Sequence, residues 1–113
     1  MTELKTIEKG YQILTDGVSV GVIEYKDFWE GMPYLSLIKL LPECRRKGIG
    51  REAMHLFETE MKTAGNKAIL LSTQVDEEAQ HFYRKLGYKE CGSLILDNTP
   101  FSQPMEMFFI KAL

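Results

Sequence analysis

Residues 33–57, PYLSLIKLLPECRRKGIGREAMHLF, constrain the chain more than any other stretch. The apolar run Leu35 to Leu41 has the length of a buried strand, and Pro42, with its fixed φ and missing N–H, ends it. Arg45-Arg46-Lys47-Gly48-Ile49-Gly50-Arg51 then sets two glycines among four cations. Ile49, Ala53, Leu56 or Phe57, and Met61 follow at helical spacing. Strand, basic glycine turn, helix is the layout of an anion site. Glycines without Cβ let a phosphate approach the backbone, free amides of the first helical turn point at it, and the helix dipole adds about 0.3–1 kcal/mol. The same turn also fits a plain solvated cap on an ordinary helix, so other residues must decide.

The chain around it narrows the classes. A length of 113 residues suits one domain with one core, and 44% hydrophobic with 27% charged residues excludes a disordered chain. Net charge is −2, so the cations of the turn are a local feature of a mildly acidic protein, and no nucleic-acid partner is expected. No apolar stretch approaches the ~20 residues of a membrane span, and Met1-Thr-Glu-Leu-Lys lacks the apolar core of a signal peptide. Cytoplasmic placement, no membrane partner and reduced thiols at Cys44 and Cys91 are expected. Neither those cysteines nor His55 and His81 have metal-ligand spacing, so no metal is expected. Cationic neighbours alone do not make Cys44 a nucleophile.

Taken in order, Tyr11 to Tyr25 predicts a hairpin about Asp16-Gly17, a pair suited to positive φ, with residues 1–10 extending its first strand or fraying. Asp27 to Pro33 predicts a loop whose Phe28 and Trp29 line an acceptor pocket or pack along an edge. The helix from Ile49 stops near Ala64-Gly65-Asn66. Lys67 to Gln74 is the next strand, and the strand–helix–strand order makes it a parallel neighbour through a right-handed crossover. Asp76-Glu77-Glu78 predicts an N-cap with acidic first-turn residues. Ala79, Phe82, Tyr83 and Leu86 form an apolar stripe, and Gly87 stops that helix. Tyr88–Leu96 and Met105–Ala112 read as two strands joined by a long proline-containing loop.

Arg45-x-x-Gly48-x-Gly50 resembles the (Arg/Gln)-x-x-Gly-x-(Gly/Ala) signature of the GNAT N-acetyltransferases. Ala79-x-x-Phe82-Tyr83-x-Lys85-x-Gly87-Tyr88 resembles the second signature of that family. Each is degenerate; in family order with a strand between them, the pair is specific. The resemblance covers roughly residues 10–113 and implies a single domain over 1–113 without the usual first strand and two N-terminal helices. The fold expected is α/β: a mixed, twisted sheet of about six strands, two helices on one face, and a splayed parallel pair at its centre. The activity implied is direct transfer of acetyl from acetyl-CoA, the co-substrate, to an amine of a small molecule or a protein.

Residue by residue, the resemblance implies that the backbone of Leu40 and Leu41 pairs with the pantetheine arm. Arg45, Arg46, Lys47, Gly48, Ile49, Gly50 and Arg51 surround the pyrophosphate, and Tyr83 stands by the thioester sulfur as general acid. Asp76 replaces an Asn common in the family; it can accept a hydrogen bond from the cofactor, though capping the second helix is by itself sufficient to explain it. Where some members place a catalytic carboxylate stand Tyr34 and Ser36; Glu24, Glu30 or water remain for the base. Two other readings are a catalytically idle acyl-CoA-binding regulatory domain and a turn that binds nucleotide or RNA phosphates. Both helices fall on one sheet face, yet Leu35–Leu41 and Met105–Ala112 are apolar at both parities, so a homodimer is expected to cover the other face.

Overall fold

A computed structural model describes all residues, 1–113. Asp16 and Gly17, at φ 51° and 81°, form the turn that folds β2 (Gly10–Thr15) back on β3 (Val18–Trp29). The chain continues through β4 (Met32–Leu40), a short 3₁₀ turn at Pro42–Cys44, α1 (Ile49–Thr63), β5 (Ala68–Gln74), α2 (Ala79–Lys85), β6 (Lys89–Leu94) and β7 (Glu106–Ala112). Ahead of these lies β1 (Thr2–Ile7), paired antiparallel with β2 across a turn at Glu8 and Lys9. The sheet has seven strands in the order β1-β2-β3-β4-β5-β7-β6, and only β4 and β5 run parallel.

Three features differ from those the sequence predicts. The first strand is present, and the sheet has seven strands rather than about six. Its signal is the alternation of Thr2 and Leu4, turned inward, with exposed Glu3 and Lys5. Residues 27–33 are not a loop: β3 runs on to Trp29, and Glu30-Gly31, with Gly31 at φ 74°, makes a tight turn into β4. Pairing with Pro33 and Met32 holds that end of β3 extended despite its polar residues. Asp76 does not cap α2, which starts two residues later behind Glu78 with no side-chain cap. Instead Glu77 Oε1 accepts the Gln74 amide at 3.0 Å, tying the end of β5 to the turn.

Both helices cover one face. Ala53, Met54, Phe57 and Met61 of α1, with Tyr83 of α2 and Leu86 just after it, meet Ile13, Ile23, Leu35, Ile69, Leu71 and Phe109 in one core. Phe57 is fully buried, tilted against Tyr25 at 5.4 Å and edge-on to Tyr11 at 6.2 Å. A polar clasp closes the other end. Lys111 Nζ donates to Glu58 Oε1 at 2.9 Å and to Leu86 O at 2.7 Å, while Tyr88 Oη donates to Glu58 Oε2 at 2.9 Å. Burial, and then the Glu58 charge beside it, push the Tyr88 phenol far up. The opposite face carries Tyr34, Leu70, Ser72, Phe108 and Ile110 in register, with neither helix over it.

The parting of β4 from β5 has a local cause. The two strands are in register only at Tyr34–Leu70 and Leu35–Leu71. The next residue, Ser36, is the extra one of a bulge: Tyr25 pairs with Leu35, whereas Glu24 pairs with Leu37. Ser36 Oγ fixes the kink by donating to Glu24 O at 3.2 Å. A bulge bends its strand, and here the bend carries Leu37–Leu40 away from β5. The sheet opens without breaking.

Candidate active site

Beyond the opening, β4 lines a cleft of about 600 Å³, within the size range of small-molecule sites. Ile38 and Leu40 of β4 form one wall; Ala79, Phe82 and Tyr83 of α2 form the other. Arg45, Arg46, Gly48, Gly50 and Arg51 close one end. The backbone there is shaped for an anion. Arg46 and Gly48 lie at φ 61° and 81°, and the first amide of α1 with a carbonyl partner is that of Glu52, bonded to Gly48 O at 3.1 Å. The amides of residues 46–51 donate to no backbone carbonyl and α1 has no side-chain cap, so their donors are free at the positive end of a helix. Gly50 lies under the wall. A Cβ there would stand 3.5 Å from the Phe82 ring and 3.6 Å from the Leu40 side chain, a fit for methyl and no more.

The edge of β4 is divided between two tasks. The Leu41 amide donates to Val20 O at 2.9 Å and is spent within the sheet. Strand alternation turns the amides of Leu40 and Ile38 the other way, into the gap. Arg45 Nε anchors the turn to this edge by donating to Leu40 O at 3.2 Å.

Tyr83 is buried, edge-on to Phe82 at 5.3 Å and to Tyr88 at 6.0 Å. Its phenol is pushed up to about 12, by burial first, then by the Glu77 charge, with Tyr34 adding to it. It therefore stays protonated at neutral pH and can donate a proton but not take one. Tyr88 is also buried, but its hydroxyl is held by Glu58 and belongs to the clasp.

Of the residues singled out in the sequence, Leu40, Arg45, Arg46, Gly48, Gly50, Arg51 and Tyr83 meet at one cleft. Leu41, Lys47, Ile49 and Asp76 lie off its walls. Leu41, Lys47 and Asp76 are exposed, and the Ile49 side chain is buried in the core. Phe28, Trp29 and Glu30 stand at the β3–β4 turn, beside residues 64–67, at the opposite end of β4 from the basic turn. Glu24 lies on β3 with its carbonyl engaged by Ser36. His55 and His81 are exposed on different helices, each near a glutamate three residues away in sequence, at 3.8 and 3.9 Å. Sequence reading missed Ile38, two residues before Leu40 and so on the same edge. It also missed a hydrogen-bonded chain on the far side of the gap: Tyr34 Oη to Ser72 Oγ at 2.6 Å and Ser72 Oγ to Glu106 Oε2 at 2.9 Å.

Comparison with known proteins agrees with this geometry. The sequence profile of the Acetyltransferase (GNAT) family matches residues 3–88, most of the chain, and the chain belongs to that family. A provisionally assigned streptothricin acetyltransferase from Bacillus anthracis, solved with acetyl coenzyme A, superposes with a TM-score of 0.81 at 21% identity, covering 96% of this chain and 65% of that one. Ard1 from Thermoplasma volcanium gives 0.79 at 20% identity, covering 94% of this chain and 71% of its own. The ribosomal-protein-S18-alanine N-acetyltransferase of Escherichia coli gives 0.76 at 17%, covering 95% and 71%. At these identities the likeness is one of fold, and the chain spans about two thirds of each of these proteins. No curated protein matches the chain significantly.

Proposed function

We propose that the protein transfers an acetyl group from acetyl-CoA directly to an amine. The observation that carries this reading is the meeting of both signature segments at one cleft, with free amides and three arginines at one end and a protonated, buried tyrosine in its wall. Amides and guanidinium groups suit a diphosphate, and the apolar wall of Ile38, Leu40 and Phe82 suits a pantetheine arm. Gly48, Ile49 and Gly50 act through their amides, Arg45, Arg46 and Arg51 through charge, and Lys47 and Asp76 reach the cofactor from the rim. Leu40, not Leu41, offers its amide to the arm, because the Leu41 amide is bonded to Val20.

In the transfer, the amine nitrogen bonds to the acetyl carbon and the carbonyl oxygen gains charge. The Ile38 amide, just past the bulge, stabilises that charge, a contribution of about 3 kcal/mol for a well-placed donor. As the carbon–sulfur bond breaks, Tyr83 gives its proton to the departing sulfur, worth roughly 10²–10⁴-fold in rate. The acceptor enters from the helix-free face of the sheet. That face, with Leu37 and Leu94 exposed, is also where a second copy of the chain packs in this reading; light scattering at micromolar concentration giving only the monomer mass would count against the homodimer. No helix is long and apolar enough to cross a membrane, and the free thiols of Cys44 and Cys91 suit the reducing cytoplasm in which we place the protein.

The direct test is coenzyme A release from acetyl-CoA over a panel of alkylamines, polyamines, aminoglycosides and peptide N-termini. Amine-dependent release with at least one class is expected. Binding of acetyl-CoA with no release across the panel would favour an idle acyl-CoA-binding domain instead.

A further inference from the structure

A cationic amine must lose a proton before it can attack. With a pKa near ~10.4, a lysine-like amine is neutral in only about one molecule in two thousand at pH 7. Tyr83 is protonated and cannot take that proton. Resting on the transferase reading above, we propose that Tyr34, Ser72 and Glu106 form a proton wire that deprotonates the acceptor amine, with Glu106 as the terminal base.

The direction of the wire follows from counting protons. Ser72 has one hydroxyl proton and donates it to Glu106 Oε2 at 2.9 Å, so across the 2.6 Å contact with Tyr34 it must accept. Tyr34 therefore donates to Ser72, and the free lone pairs of its oxygen are left to receive a proton from a bound ammonium. The position also fits. Tyr34 is level with Leu70 yet bonds Ser72, two residues on; Ser72 is level with Phe108 yet bonds Glu106, two residues along β7. Both steps lean the same way, past the last β4–β5 pair and toward the gap. All three side chains are part-buried, on the face opposite the helices. Tyr34 lies on the helix-free face and Tyr83 on the helix-covered one, and Tyr34 is among the groups that raise the Tyr83 phenol. The ionisable groups around them are Lys26 of β3, 6.0 Å from the centre of the Tyr34 ring, and Glu77, beside Tyr83.

The balance is simple. An ammonium N–H proton passes to the Tyr34 oxygen, the Tyr34 proton to Ser72, and the Ser72 proton to the Glu106 carboxylate. The nitrogen keeps the electron pair with which it attacks. Glu106 then returns its proton to water, and nothing is oxidised or reduced.

Two small probes separate this from a structural role: propylamine, cationic at pH 7, and hydroxylamine, mostly neutral there. In Glu106→Gln the amide oxygen still accepts from Ser72 but cannot take the proton. Its kcat/KM is expected to fall roughly 10²-fold for propylamine and by less than about 3-fold for hydroxylamine. Ser72→Ala, which cuts the wire without touching the base, is expected to give the same split and stands in if Glu106→Gln melts early. Equal losses with both probes, no loss with propylamine, or a wild type active on hydroxylamine alone would overturn the wire and leave the transferase standing. A wild type that binds acetyl-CoA and releases coenzyme no faster than the uncatalysed reaction with either probe would overturn the transferase reading and the wire with it.

Discussion

Tyr83 and Tyr88 lie five residues apart and their rings touch at 6.0 Å, yet they have different work. Tyr88 spends its hydroxyl on Glu58 inside the core, whereas Tyr83 faces the cleft. In the proposed transfer, removing the oxygen of Tyr83 takes away the proton source and leaves the apolar ring packed on Phe82. Tyr83→Phe is therefore expected to bind acetyl-CoA as the wild type does and to lose roughly 10²-fold or more in kcat. Calorimetry and a thiol-release assay measure the two halves, and unchanged turnover would remove Tyr83 from the mechanism. With its phenol at about 12, Tyr83 also produces no alkaline fall in kcat below pH 10, because the protonated form it needs persists there. The sequence supplied Tyr83 through its motif, and it supplied the turn because glycines and cations adjacent in sequence stay adjacent in space. It did not supply Tyr34, Ser72 and Glu106, which three strands bring together across separations of 38 and 34 residues.

At the scale of elements, the two helices and the central strands were legible because apolar periodicity reports directly on which face is buried. What escaped was set by partners. Trp29 stays in a strand because Met32 pairs with it, and α2 begins at Ala79, not behind Asp76, because Gln74 and Glu77 hold the preceding turn. The splay was expected from resemblance alone; its physical cause, the Ser36 bulge, depends on β3–β4 register, and no local pattern shows it. The Glu58 clasp belongs here as well. One carboxylate on α1 holds Lys111 of β7 and Tyr88 after α2, so its loss strands a cation that is three-quarters buried. Glu58→Ala is expected to destabilise the fold by about 3 kcal/mol, read as a lowered urea midpoint. A midpoint within error of the wild type would show that the clasp is solvated and contributes little.

The molecule as a whole keeps its site between a rigid layer and an open face. The helix-covered side is one continuous core, with the cleft set between β4, the basic turn and α2; the other side is sheet alone. That core also fixes the alkaline limit. Burial raises Tyr11 and Tyr83 to about 12, and Tyr88 further, above the ordinary value of 10.0 that each regains on unfolding. The stabilisation from these neutral phenols is complete below pH 10 and is lost as pH climbs toward 12. Urea midpoints at pH 9, 10 and 11 are expected to hold and then fall; a flat series would place the tyrosines in solvent.

The most direct measurement is calorimetric titration of acetyl-CoA into the folded protein and into Gly50→Trp, whose indole, too large for the place between Leu40 and Phe82, would be forced into the cleft they line. Saturable heat at one site per chain, weakened about 10-fold or more by the indole, or some 1.4 kcal/mol, is the expected result. No saturable heat with the wild type, or heat that the indole leaves untouched, would contradict the claim that this cleft holds the thioester carrier.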